Sequence, residues 1–204
     1  MVTAAKRAKS AAPRNSRQAI LKAAMHLFAE HGFEGTSLRD IAKAARISLG
    51  LVTQFYGTKA ALHEAVDDYV LTEFSEFVAS FSDEQNFFEK SYKASVEFIS
   101  QHRNQYCYIR RALVEESPGS TEFFKRYHAM QVNVVRRAKR SGAVAEDVDE
   151  TLAALILIFL VLGPFFCMHQ VEAILGTSVF DSKAVMRRNT VYARLLQRGF
   201  GINS

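Results

Sequence analysis

A chain of 204 residues, 49% of them hydrophobic, is long enough for one sizeable core or for a small domain joined to a larger one, and this composition excludes disorder over most of its length. The formal net charge of +5 is unevenly placed: residues 1–60 hold ten Lys and Arg against three acids, +7 in all, while the other 144 residues carry −2. A polyanion-binding surface is therefore expected at the N-terminal end, with a near-neutral body behind it. Cys107 and Cys167 lie far apart with no CxxC or Cys/His spacing around them, which argues against a disulfide framework or a zinc site and reads as two buried, reduced thiols.

The opening MVTAAKRAKSAAPRN is small, basic and interrupted by Pro13, the composition of a flexible basic arm over residues 1–15. Its polar continuation at 10–15 is not the apolar core of a secretory signal, so a cytoplasmic protein is expected. An arm of this kind can reach phosphates or a minor groove, or can simply be a solvated tail. From Ser16, the residues Ile20, Leu21, Ala24, Leu27 and Phe28 form one stripe of an amphipathic helix that stops at Gly32, and Phe33 follows as a plug for the core.

The stretch 36–59, TSLRDIAKAARISLGLVTQFYGTK, reads as two short helices joined by a tight turn, with Ser37 and Ser48 at their N-caps. Leu38, Ile41, Ala42 and Ala45 share one face of the first helix, and Ile47, Val52 and Tyr56 can turn toward the same core from the second. Leu49, Gly50, Thr53 and Gln54 are left looking outward. Small and hydrogen-bonding groups at the N-terminal end of a two-turn helix suit a DNA major groove.

The run from about Arg17 to Leu62 resembles the N-terminal domain of the tetracycline-repressor (TetR) family of bacterial transcription regulators, on the segments FAEHGFEGTS, LRDIAKAA and ISLGLVTQFYGTKAAL. The resemblance implies an all-α fold of about nine helices. A helix-turn-helix domain over 16–62, its motif at about 37–56, would precede a ligand-binding and dimerisation domain over 63–204. It also implies a homodimer through the last two long helices, a palindromic double-stranded DNA operator, and release by a small-molecule effector, so that the chain would act as a repressor. DNA-facing positions are Thr36 and Ser37 for a phosphate, Arg39 for a guanine edge or for an ion pair with Asp40 or Glu34, and Ser48, Leu49, Gly50, Thr53, Gln54 and Tyr56 on or beside the recognition helix. Lys59, opening the next helix, is expected to hold a phosphate. Two departures stand out. Arg46 occupies the turn where relatives usually carry Gly, and Thr53 and Phe55 stand where relatives often present Tyr and His, so those contacts do not transfer.

After Lys59 a long helix continues through Leu62, Val66, Tyr69, Val70, Phe74, Phe77 and Phe81, placed to act as a lever between the two parts of the chain. Five further helices are expected at about 84–101, 104–116, 121–141, 148–176 and 183–198. The uncharged run TLAALILIFLVLGPFFCM at 151–168 passes for a membrane span by hydropathy alone, and a membrane-anchored DNA-binding protein is the alternative it raises. Gly163 and Pro164, acidic flanks and the lack of interfacial Trp or Tyr favour a helix packed in a dimer core instead. Pro164 should kink it. Aromatics here and upstream suggest an apolar effector pocket, drawn from Phe88, Tyr92, Tyr106, Phe124, Tyr127, His128, Phe165, Phe166 and His169; any one of them can equally be plain core. No nucleophile elbow, phosphate-cradling glycine loop or paired metal-binding histidines occur, so no catalytic residue, metal, cofactor or enzymatic activity is expected.

Overall fold

The computed structural model describes residues 3–80, 87–115 and 119–200, without the side chains of 3–14, 87–89, 91, 92, 197 and 200. These residues are all-α: α1 (Thr3–His31), α2 (Leu38–Ala45), α3 (Leu49–Tyr56), α4 (Lys59–Ala79), α5 (Phe87–Gln101), α6 (Arg103–Val114), α7 (Ser120–Arg140), α8 (Glu150–Phe166), α9 (Met168–Leu175) and α10 (Ser182–Phe200). They divide into two compact units, one of Met1–Val70 with Cys107–Ser120, the other of Leu71–Tyr106 with Thr121–Ser204.

In the first unit the apolar stripes close as their periodicity requires. Ile20, Ala24 and Phe28 of α1, Ile41 and Ala42 of α2, Val52 of α3 and Leu62, Val66 and Val70 of α4 are all buried. Each large aliphatic side chain so buried contributes about 1.5–3 kcal/mol. Gly32 ends α1 with φ 74°, its N–H bonded to the Phe28 carbonyl at 3.0 Å, and a Cβ there would collide with the Glu115 carboxylate. The positive φ favours glycine, while the Glu115 carboxylate, at the end of a flexible side chain, could swing aside. Phe33 then stacks on Phe28, centroids 5.9 Å apart.

Two boundaries differ from the sequence expectation. Helical backbone begins at Thr3, within the 1–15 stretch whose composition suggests a flexible basic arm, since Ala, Lys and Arg are strong helix formers. The first unit also extends past residue 62 to Val70 and takes in 107–120. Side chains of α6 pack there: Tyr108 and Ile109 are buried, and the Tyr108 hydroxyl donates to Asp67 of α4 at 2.6 Å. Sequence separation conceals such a pairing.

The second unit is built around aromatics. Phe74 meets Phe98, Tyr106 and Tyr127 edge-on at 5.2, 5.4 and 5.7 Å, and Phe165 lies 4.6 Å from Tyr106 and 5.0 Å from Phe180. Such pairs add about 0.5–1.5 kcal/mol beyond their buried area. Asn189 of α10 donates to the Ser95 hydroxyl of α5 at 2.7 Å, tying those helices together.

The single helix expected over 148–176 is broken in two. Pro164 sits inside α8, and the chain turns by 79° three residues later, at Cys167, with φ −111° and ψ 44°. A proline deprives the carbonyl one turn upstream of its donor, and the helix here closes its last turn before bending. Among the described residues no single helix is long and apolar enough to cross a membrane; only α8 and α9 together pass by length and composition, and they are sharply bent. Cys167 is exposed and Cys107 half-buried, and no disulfide joins them, so the expectation that both are buried fails.

Candidate nucleic-acid interface and effector cavity

The helix-turn-helix is assembled by its caps. The Ser37 hydroxyl accepts from the Asp40 N–H at 3.2 Å, and the Asp40 carboxylate accepts from the Ser37 N–H at 3.2 Å, a reciprocal capping box. The Ser37 hydroxyl also donates to the Asp40 carboxylate at 2.5 Å, and this bond, with the one from the Ser37 N–H, holds the Asp40 carboxyl below its ordinary pKa. Ser48 caps α3 in the same way, accepting from the Leu51 N–H at 3.2 Å. Between the helices Arg46 adopts φ 56° and ψ 42°, the left-handed conformation that favours glycine, and its N–H bonds back to the Lys43 carbonyl at 3.2 Å. Holding a residue with a Cβ there costs about 1 kcal/mol.

The outward face of α3 emerges as its spacing predicts. Gly50, Thr53 and Gln54 are exposed, and Leu49 is 39% exposed. A Cβ on Gly50 would meet nothing within 4 Å, so the backbone there is open to close approach. The Thr53 hydroxyl donates to the Leu49 carbonyl at 3.1 Å, a local bond that a ligand can replace. Arg39 is exposed and forms no ion pair with Asp40 or Glu34 among the described residues, so its guanidinium is available.

Other expected contacts turn inward. Thr36 is buried, and its hydroxyl donates to the Gly32 and Leu27 carbonyls at 2.8 and 3.2 Å, satisfying the C-terminus of α1 instead of facing a phosphate. Ser37 is exposed, but its hydroxyl and N–H serve the capping box. Lys59 is partly buried: Nζ donates to the Phe33 carbonyl at 3.0 Å, lies 4.3 Å over the Phe33 ring and is 3.8 Å from Glu34. It ties α4 to the loop after α1 before it can serve any phosphate. Tyr56 is half-buried and donates to the Arg17 carbonyl at 3.3 Å, bracing α3 on α1, and burial raises its phenol pKa. Phe55 lies 5.0 Å beneath the Arg17 guanidinium. Sequence reading missed Thr58, whose hydroxyl accepts from the Ala61 N–H at 3.1 Å and caps α4; a threonine just ahead of a predicted helix was the available signal.

The second unit holds a cavity of about 160 Å³ walled mainly by apolar groups, among them Phe74, Phe77, Tyr106, Tyr127, Val134 and Leu157. Tyr106 and Tyr127, two of the expected pocket residues, border this cavity, and burial raises both phenols above their ordinary pKa. The remaining expected lining is not there. Phe165 is buried in the adjoining core, Phe124 and Phe166 are half-buried elsewhere, His128 donates from Nε2 to the Thr151 carbonyl at 3.0 Å, and His169 is exposed. The Phe88 and Tyr92 side chains lie outside the described residues. α10 contributes Arg188, Asn189 and Tyr192 instead, polar groups that an aromatic search passes over.

Residues 20–66 match the family described as bacterial regulatory proteins, tetR family. The chain is 45% identical over 62 residues to the HTH-type transcriptional repressor Rv3405c of Mycobacterium tuberculosis, a match covering 30% of this chain and 33% of that one. Over 54 residues it is 43% identical to the HTH-type transcriptional repressor AcnR of Corynebacterium glutamicum, covering 26% and 29% of the two. These matches span about a third of the curated relatives' length or less. Across nearly the whole chain the fold is shared with NalD of Pseudomonas aeruginosa, described as the secondary repressor of the MexAB-OprM multidrug efflux pump (TM-score 0.61, 21% identity, 94% of this chain and 100% of that one). It is shared also with PfmR of Thermus thermophilus (TM-score 0.62, 18% identity, 91% and 96%). A capped helix-turn-helix with an open second helix and a matching N-terminal sequence make residues 20–66 a DNA-binding domain of the kind found in the tetR family of bacterial regulatory proteins, and the chain shares its fold with solved structures of similar length.

Proposed function

We propose that the chain is a homodimeric, ligand-responsive transcriptional repressor that binds a palindromic DNA operator and releases it when a small apolar effector enters the second unit. The observation that carries the reading is α3, capped by Ser48 and presenting Leu49, Gly50, Thr53 and Gln54 to solvent within the strongly basic N-terminal third. Gln54 can pair with adenine and Arg39 with guanine, while Leu49 can press on a thymine methyl. Ser37, Ser48 and the remaining hydrogens of Lys59 supply backbone contacts that position α3 without reading sequence.

Dimerisation is supported by an uncovered apolar face. Leu152, Ile156 and Phe159 of α8 are 58, 44 and 58% exposed at helical spacing, and Met186, Val191 and Leu195 of α10 are 49, 54 and 58% exposed. Two such helices from each of two copies would bury one another as a four-helix bundle. Effector binding would favour a dimer in which the two recognition helices no longer match successive major grooves, a population shift between forms.

The test is selection of bound sequences from random duplex DNA, followed by fluorescence anisotropy against the selected operator over a range of salt. Gln54→Ala should weaken binding about tenfold and relax preference at one base pair in each half-site. Unchanged affinity and unchanged sequence preference would sink this mode of DNA reading.

A further inference from the structure

Arg188 stands out among the groups that border the cavity. It comes from α10 into a wall otherwise formed largely by Phe74, Tyr106, Tyr127 and aliphatic side chains. Its Nε is buried without a hydrogen-bond partner, and no carboxylate pairs with its guanidinium among the described residues. The Phe165 ring, 5.7 Å from Cζ, offers the cation a π-face, and the Tyr106 and Tyr192 phenols are the titratable groups that bear on it. A guanidinium cannot shed its proton to escape this position, although burial lowers its pKa from the ordinary value. Arg188 is half-buried with its Nε enclosed, and among the described residues no acid offsets its charge, so part of its hydration is lost without a salt bridge in return.

We infer that the cavity takes an amphipathic monoanion, a single carboxylate paired with Arg188 on an apolar body about the size of one aromatic ring. The size follows from the volume. A dry apolar cavity of about 150 Å³ accommodates benzene, and the cavity here is about 160 Å³. The sign follows from Arg188, whose fork of donors matches a carboxylate in a bidentate, charge-assisted pair. The edge-on rings of Phe74, Tyr106 and Tyr127 supply the walls for the apolar part. Recognition would therefore rest on exclusion as well as attraction: a cation of the same shape would place two like charges side by side.

This inference rests on the cavity being the effector site, and the two are tested separately. Calorimetric titration of the purified full chain at pH 7 would compare benzoate with benzamide and hexanoate with hexanamide, pairs of nearly equal shape that differ in charge. Each acid should bind at least tenfold more tightly than its amide, and Arg188→Met should bring the ratio to about one while raising the melting temperature of the unliganded chain. Equal or tighter binding of the amides, no binding of either acid, or an acid preference that survives Arg188→Met would overturn the anion site. The wild-type comparison stands even if the variant fails to fold. Operator titrations with the same probes separate the two readings. Acid binding through Arg188 with unchanged operator affinity would leave the anion site standing and sink the effector role. An operator response equal for acid and amide would keep the effector role and overturn the anion site.

Discussion

Lowering the pH from 7 to 5 should selectively weaken the first unit through one side chain, His63 of α4. The imidazole is 4% exposed and enclosed by the rings of Phe28 and Phe33, whose centroids lie 5.1 and 5.0 Å away. Tyr108 gives its proton to Asp67, so the hydroxyl oxygen 3.2 Å from His63 Nε2 accepts there, and the ring is the neutral tautomer protonated on Nε2. Asp67 lies 3.7 Å from Nδ1, close enough to favour a charged ring, yet its carboxylate is engaged by Tyr108, and burial together with the Lys59 charge prevails. Burial pushes the His63 pKa down from 6.5 to about 4. Between those values the unfolded chain takes up a proton that the folded chain refuses. The stability this group contributes is therefore complete above about pH 6.5 and is lost as the pH falls toward 4. At pH 5 the loss is about 2 kcal/mol by linkage, or about 4–8 °C in melting temperature for a chain of this size. The measurement is a series of thermal melts from pH 7.5 to 4.5 on the wild type and on His63→Gln, read as the difference between the two curves. The variant should be less stable at pH 7 and should lose less stability on acidification. Parallel curves across pH 7 to 5 would refute the argument.

Other perturbations address separate links. Arg46→Gly relieves a left-handed residue but loosens the unfolded chain, so a net gain of up to about 1 kcal/mol is expected in thermal melts; a loss would mean the Arg46 side chain makes a compensating contact. The same variant should lower the salt slope of operator binding by about one if the guanidinium meets a phosphate. Gly50→Ala should keep or raise the melting temperature, because a Cβ there meets nothing, while weakening operator binding at least tenfold by blocking close approach; undiminished affinity would place the groove contact elsewhere. Phe159→Glu with Leu195→Glu should convert a dimer to a monomer in light scattering, and an unchanged mass would remove the α8 and α10 face from the interface. Thr36→Val should cost about 1–2 kcal/mol of stability, since the hydroxyl serves the Gly32 carbonyl and that of Leu27 in α1, without changing the salt slope of operator binding.

The parts of this protein legible from its residues are those governed by neighbours in the chain. Ser37 and Ser48 had to cap because an exposed first turn leaves its N–H groups unpaired, Gly32 had to end α1, and the 3.6-residue period decided that Ile41 and Val52 face inward while Gly50 and Gln54 face outward. Charge and apolar periodicity together also announced a basic reading head ahead of an all-α body. What tertiary structure decided are the partners of long polar side chains and the point at which an apolar helix bends. Lys59 reaches the Phe33 carbonyl, Thr36 the end of α1, and Tyr108 a carboxylate 41 residues away. Arg188, Asn189 and Tyr192 of α10, rather than the expected histidines, bring polar groups to the cavity. The physical reason is one of range: caps and periodicity are set within about a turn of helix, whereas a flexible side chain goes wherever folding has left a carbonyl, a carboxylate or a ring without water. The helix-turn-helix is accordingly written in its own twenty residues, and the chemistry of the cavity is set only when α10 closes against α5.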